Sequence, residues 1–237
     1  MNAFVGELIG TFILVLLGNG VVSACILNKT KSQNSGWIAI VLGWGFAVMV
    51  AIYVSGFLSG AHLNPAVTIA MASLGNISWK LVPLYIAAQF IGAILASLAL
   101  YVHYYPHWSK TEDAGTILAC FSTGPAIRHT LSNMFGEALG TAILVITVMS
   151  IGQNNVVSGF GPIIVGVVVF AIGFSLGGTT GYAINPARDL APRLVHALLP
   201  IKNKGNSDWS YAWIPVVSPI VGGLLGAIIY NMILHLV

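Results

Sequence analysis

The sequence predicts an all-α membrane protein with six transmembrane helices and two re-entrant half-helices, arranged as an inverted repeat. Three observations carry the prediction. Of the 237 residues, 57% are hydrophobic and only 6% are charged, whereas soluble domains carry about 25% charged residues. A soluble chain this apolar would expose large sticky patches, and a bilayer removes that problem. The long apolar runs recur at span length. The pattern also occurs twice.

Segments 4–27, 37–58, 81–102, 132–151, 160–178 and 212–235 are long and apolar enough to cross the membrane, which takes about 20 residues each. Lipid offers the backbone no hydrogen-bond partner, so each is expected to be helical. The first run lacks a basic flank and a cleavage site, and is expected to be a retained span. The connections 28–36, 103–131 and 199–211 hold most of the Lys, Asn, Ser and Asp residues. Trp37, Trp79, Tyr104, Tyr105, Trp108, Trp209 and Trp213 flank the spans and are expected in interfacial aromatic belts.

Two further stretches, 59–71 and 181–198, are apolar but too short to span alone, and each contains Asn-Pro-Ala. The duplication is explicit. GELIGTFILV at 6–15 matches GEALGTAILV at 136–145 at seven of ten positions, pairing Glu7 with Glu137, and Asn64 pairs with Asn185. The chain therefore reads as one transmembrane channel domain over 1–237, with internal repeats of approximately 1–110 and 130–237. Each repeat holds three spans, an odd number, so the second enters the membrane from the opposite side. In such folds the site commonly lies near the midplane, where the repeats meet.

Asn is a strong helix N-cap, and Pro suits the first helical position. Asn64-Pro65-Ala66 and Asn185-Pro186-Ala187 thus mark two helix starts, brought together at the membrane centre. Each start carries about half a positive charge, and a pair of them repels cations and protons. The Asn64 and Asn185 amides are expected to donate hydrogen bonds into the lumen. The preceding stretches, Gly60-Ala61-His62-Leu63 and Gly181-Tyr182-Ala183-Ile184, are expected to be non-helical and to present carbonyls. Such backbone is tolerated at this depth only where it is buried in protein or lines a wet cavity. A lone Asn-Pro pair would be an ordinary turn; two at matched positions, each on a half-length helix, are not.

With both motifs in place the chain resembles the aquaporin superfamily over essentially its full length. The Asp that follows Asn185-Pro186-Ala187-Arg188 is typical of the aquaglyceroporin branch, that of the bacterial glycerol facilitators; here it is Asp189. The resemblance implies a homotetramer in the bacterial plasma membrane, with one pore per subunit. It also implies a selectivity filter of Trp44, Gly173, Tyr182 and Arg188. Their chemistry is coherent by itself. Arg188 offers forked donors and a positive barrier. Trp44 and Tyr182 make an apolar corner, and Gly173 leaves width. Tyr182 departs from the Phe common in glycerol facilitators, and its hydroxyl would make the filter more polar.

Glu7 and Glu137 are expected to accept hydrogen bonds from the non-helical stretches. Asp189 is expected to pair with a cation or loop backbone, and Arg193 to reach solvent or a carbonyl from a segment end. His62 is expected to line the pore or brace its turn. His103, His107, His129, His196 and His235 are expected at surfaces or interfaces. No metal, cofactor or nucleic-acid partner is expected: Cys25 and Cys120 match no ligand spacing, and there is no basic run. No nucleophile–base constellation or phosphate loop points to an enzyme.

The expected function is passive diffusion of glycerol and similar small neutral solutes, with water, excluding ions and protons. The alternatives are undissociated lactic acid, dihydroxyacetone or urea as the solute, a water-selective channel, or a proton-coupled carrier using Glu7 or Glu137. On sidedness two indicators disagree. The resemblance places both termini in the cytoplasm, which turns Lys29, Lys31, Lys110, Arg128, Lys202 and Lys204 outward and leaves little beyond Lys80 inside. The positive-inside rule gives the reverse. The resemblance is followed here.

Overall fold

The computed structural model describes residues 2–236, and those residues are helical with no strand. The helices are α1 (Asn2–Ile26), α2 (Gly36–Ser59), α3 (Pro65–Ser73), α4 (Val82–His103), α5 (Tyr105–Trp108), α6 (Ala114–Ala119), α7 (Thr130–Ile151), α8 (Gly161–Ser175), α9 (Pro186–Leu198) and α10 (Ile214–Leu234). Two 3₁₀ turns, Trp79–Leu81 and Gly177–Thr179, extend α4 and α8.

Five helices have the length and apolarity of a membrane span: α1, α2, α4 with its leading turn, α7 and α10. The segment expected as a span over 160–178 is a shorter helix of 15 residues that breaks into the 3₁₀ turn at Gly177. The outer faces stay apolar. Phe46, Phe57, Val102, Phe135, Phe174, Ile228 and Met232 are all exposed, as a lipid-facing surface requires. The chain is a multi-pass membrane protein.

Packing follows the duplication and crosses it. In the first half, α1 packs on α2 and α4; in the second, α7 packs on α8 and α10. The half-helices are exchanged: α3 lies mainly against α10, and α9 mainly against α4. Close approach at the α2–α8 crossing depends on missing side chains. A Cβ at Gly45 would stand 2.8 Å from the Gly166 carbonyl oxygen, and one at Gly166 would stand 2.6 Å from that of Gly45. Small residues let helix backbones meet in this way.

Two expectations about individual residues are corrected. Trp108 is not interfacial. The 104–129 connection folds back over the bundle, burying Trp108 against Phe121 while its indole donates to the Tyr101 carbonyl at 2.9 Å. His196 is not at a surface: it is fully buried beneath the same loop, edge-on to Phe121. Of the two outcomes expected for Arg193, solvent or a carbonyl, the second holds: it donates to the Thr123 carbonyl at 2.7 Å and the Ser207 carbonyl at 2.8 Å. It is also fully buried, paired with Asp189 one helical turn earlier.

Candidate functional site

Both Asn-Pro starts are helix N-termini. Asn64 and Asn185 are extended (φ −158° and −155°), and each side-chain oxygen accepts from the backbone N–H two residues on, at 2.9 and 3.0 Å. The Asn185 oxygen also accepts from the Arg188 N–H at 3.2 Å. The amides make a reciprocal brace across the repeats. Asn64 Nδ2 donates to the Ile184 carbonyl at 2.7 Å, and Asn185 Nδ2 donates to the Leu63 carbonyl at 2.8 Å. Each amide carries two hydrogens, so one per Asn is left for another acceptor.

The stretches before these caps have matched, unusual backbone. Gly60 and Gly181 both have φ of +81°, and the left-handed region recurs at Ala61, Leu63, Tyr182 and Ile184. A non-glycine residue there costs about 1–2 kcal/mol. Buried carboxylates hold the chain in this form. Glu7 Oε1 accepts from the His62 N–H at 2.9 Å and Oε2 from the Leu63 N–H at 2.7 Å. Glu137 does the same for Ala183 and Ile184, at 2.9 and 2.8 Å. With the N–H groups drawn to the carboxylates, the intervening carbonyls turn the other way.

Both stretches contribute to the lining of a cavity of about 250 Å³. One wall is Gly60, Ala61, His62, Leu63 and Asn64, continued by Tyr182, Ala183, Ile184, Asn185 and Arg188. Much of the remaining lining is aliphatic: Leu14, Val48, Ile52, Val67, Leu144, Val148, Val165 and Val169. Backbone of the two non-helical stretches thus shares the cavity with aliphatic side chains. That suits a slender solute with hydroxyls along one edge and C–H groups along the other.

Trp44, Tyr182 and Arg188 all line this cavity. The Arg188 guanidinium lies 4.1 Å above the Trp44 ring, and its Nη2 approaches the Gly181 carbonyl at 3.5 Å. Gly173 and Gly181 stand behind this surface. A Cβ at Gly173 would sit 2.6 Å from the Tyr182 ring, so the room left by this glycine is filled by tyrosine. The Tyr182 hydroxyl and the Trp44 indole nitrogen are both buried without a hydrogen-bond partner.

Several supporting residues gave no signal in the sequence. Gln89 donates to both Glu7 (2.7 Å) and Thr68 (3.0 Å). Trp37 lies edge-on to Tyr182 and donates to the Gly173 carbonyl at 3.2 Å. Thr123 donates twice to Asp189, through its N–H and its hydroxyl, both at 2.7 Å. His62 contacts Thr68 Oγ1 at 3.2 Å and leans on the Tyr85 ring. The Thr68 hydroxyl proton goes to the Asn64 carbonyl, so the His62 ring nitrogen is the donor in that contact. Among the described residues no cluster of metal-binding side chains occurs.

Known proteins share both the sequence and the shape. The chain is 54% identical to glycerol uptake facilitator protein 3 of Lactiplantibacillus plantarum, over 96% of this chain and 95% of that one. It is 55% identical to the glycerol uptake facilitator protein of Bacillus subtilis, over 98% and 84%. The X-ray structure of the aquaglyceroporin from Plasmodium falciparum superposes with a TM-score of 0.86 at 30% identity, covering 98% of this chain and 96% of that one. The family model described as major intrinsic protein matches residues 1–230. With that match spanning nearly the whole chain, the protein belongs to the major intrinsic protein family.

Proposed function

We propose that this protein is a passive channel for glycerol and similar small neutral solutes, with water, and that it excludes ions and protons. The observation that carries the reading is the two-sided cavity. Its carbonyl wall replaces the hydration of a hydroxyl row, and its aliphatic wall accepts the carbon edge. Two helix N-termini meet across it at Asn64 and Asn185, and their positive ends disfavour a cation. Relatives named as glycerol uptake facilitators support the choice of solute.

Trp44, Tyr182 and Arg188 form the selectivity filter, with Gly173 seating Tyr182. Asn64 and Asn185 supply donors at the midplane. Glu7 and Glu137 are structural acceptors that fix the carbonyl rows. The protein acts as a homotetramer with a pore in each subunit, and the Arg188 end faces outward. Stopped-flow light scattering of proteoliposomes under a glycerol gradient tests the solute. Fast glycerol entry relative to empty vesicles is expected. High water flux with glycerol entry no faster than in empty vesicles would replace this reading with a water channel.

A further inference from the structure

Asp189 follows Arg188 directly in the chain, yet the two are not an ion pair. Among the described residues the ion pairs are Arg193–Asp189 and Arg128–Asp208. Both Asp189 oxygens are occupied elsewhere. Oδ1 accepts from Arg193 Nε at 3.0 Å and Nη2 at 2.8 Å. Oδ2 accepts from the Thr123 N–H and hydroxyl, both at 2.7 Å. Arg193 closes the ring by donating to the Thr123 carbonyl at 2.7 Å and anchors it to the Ser207 carbonyl at 2.8 Å. Arg193 and Asp189 are fully buried and Thr123 nearly so.

A buried carboxylate with a spare lone pair beside a guanidinium would take it as a partner, because charge-assisted bonds in a dry site are the strong ones. We propose that Thr123 and Arg193 are positioning residues for the filter. By saturating Asp189 they keep it from pairing with Arg188, which stays without a carboxylate partner and, beyond its 3.5 Å contact with the Gly181 carbonyl, keeps its guanidinium N–H donors for solute. The inference rests on the filter reading above. It separates two arginines that the sequence places five residues apart: Arg193 neutralises the carboxylate, and Arg188 keeps its charge for the pore.

A packing role for Thr123 is the competing account, since a Cβ on neighbouring Gly181 would stand 3.2 Å from the Thr123 Cβ. Two substitutions separate the accounts. Thr123→Val preserves shape and deletes the hydroxyl; Thr123→Ser preserves the hydroxyl and deletes the methyl. The readout is the glycerol-to-water permeability ratio in the same proteoliposomes, which does not depend on how many channels fold. Thr123→Val is expected to lower the ratio about fivefold, the worth of one hydrogen bond to solute, and Thr123→Ser to keep it. A larger shift for Thr123→Ser, or no shift for either while Arg188→Lys shifts it, overturns the proposal. An unchanged ratio in Arg188→Lys would instead defeat the filter reading itself.

Discussion

Replacing Glu7 with Gln tests whether this carboxylate braces the pore or carries protons. Its two oxygens receive four donors: Ser59 Oγ (2.7 Å) and the His62 N–H (2.9 Å) on one, the Leu63 N–H (2.7 Å) and Gln89 Nε2 (2.7 Å) on the other. An amide keeps one acceptor oxygen and turns two hydrogens toward the remaining donors. If Gln89 flips to present its own unpartnered oxygen, it can accept from the new amide. One backbone N–H is still orphaned, at about 1–3 kcal/mol, and the surviving bonds lose their charge assistance. The same stretch holds Ala61 and Leu63 in the left-handed region, and that strain adds to the tendency to open. A net loss of about 2–3 kcal/mol lowers the thermal midpoint by about 4–12 °C. Glycerol flux per channel should fall as this stretch loosens. In wild type and variant alike, glycerol should equilibrate without accumulating, whatever pH difference is imposed. The assay is light scattering and radiolabelled glycerol uptake in proteoliposomes, with and without a pH gradient. Uphill accumulation driven by the gradient in the wild type, abolished in a Glu7→Gln variant that still elutes as folded protein, would refute the channel reading and install a proton-coupled carrier.

Three further outcomes are expected. Tyr182→Phe removes a buried hydroxyl that has no partner, so the thermal midpoint should hold or rise while the permeabilities to urea and dihydroxyacetone relative to glycerol stay as in the wild type; a changed solute panel would show that the hydroxyl meets the solute. Gly173→Val places carbon where the Tyr182 ring already lies, which should push the ring into the lumen and depress glycerol flux far more than water flux, read as the ratio of the two. Lys204 donates to three carbonyls, those of His196, Ala197 and Leu199, at the C-terminus of α9, so Lys204→Met should cost about 1–2 kcal/mol through the lost cap and dipole contact, visible as a lower thermal midpoint with an unchanged glycerol-to-water ratio.

The membrane class and the duplicated helix starts were legible because they are local. Apolar run length and an Asn-Pro cap need no knowledge of neighbours. The braces were not legible, because Gln89, Trp37 and Thr123 act across 82, 136 and 66 positions of chain respectively. Trp108 and His196 were misplaced for a related reason. Near a span end, an aromatic or a histidine ordinarily faces the interface, but the long connection before α7 folds over both. Arg193 looked like a segment-end charge; the partner that lets it stay buried lies four residues earlier, on the same helix face.

The strongest symmetry in the sequence conceals a functional asymmetry. Four residues after each capping Asn stand Thr68 and Asp189. Thr68 joins a network that links it to Asn64, Gln89 and His62, with the Glu7 carboxylate beyond. Asp189 instead brings a full charge, which requires Arg193 and the Thr123 loop to contain it. On the proposed reading, the duplicated helix starts set a common midplane barrier, while discrimination belongs to the unduplicated groups beside Arg188. Such a fixed asymmetry cannot pump. A static filter alters the barrier equally for entry and exit, so net flux follows the solute gradient alone unless a second ion is coupled. A one-ended filter on a two-fold scaffold is consistent with equilibration in either direction, with selectivity set by the barrier at Arg188 and direction set by the cell's consumption of solute.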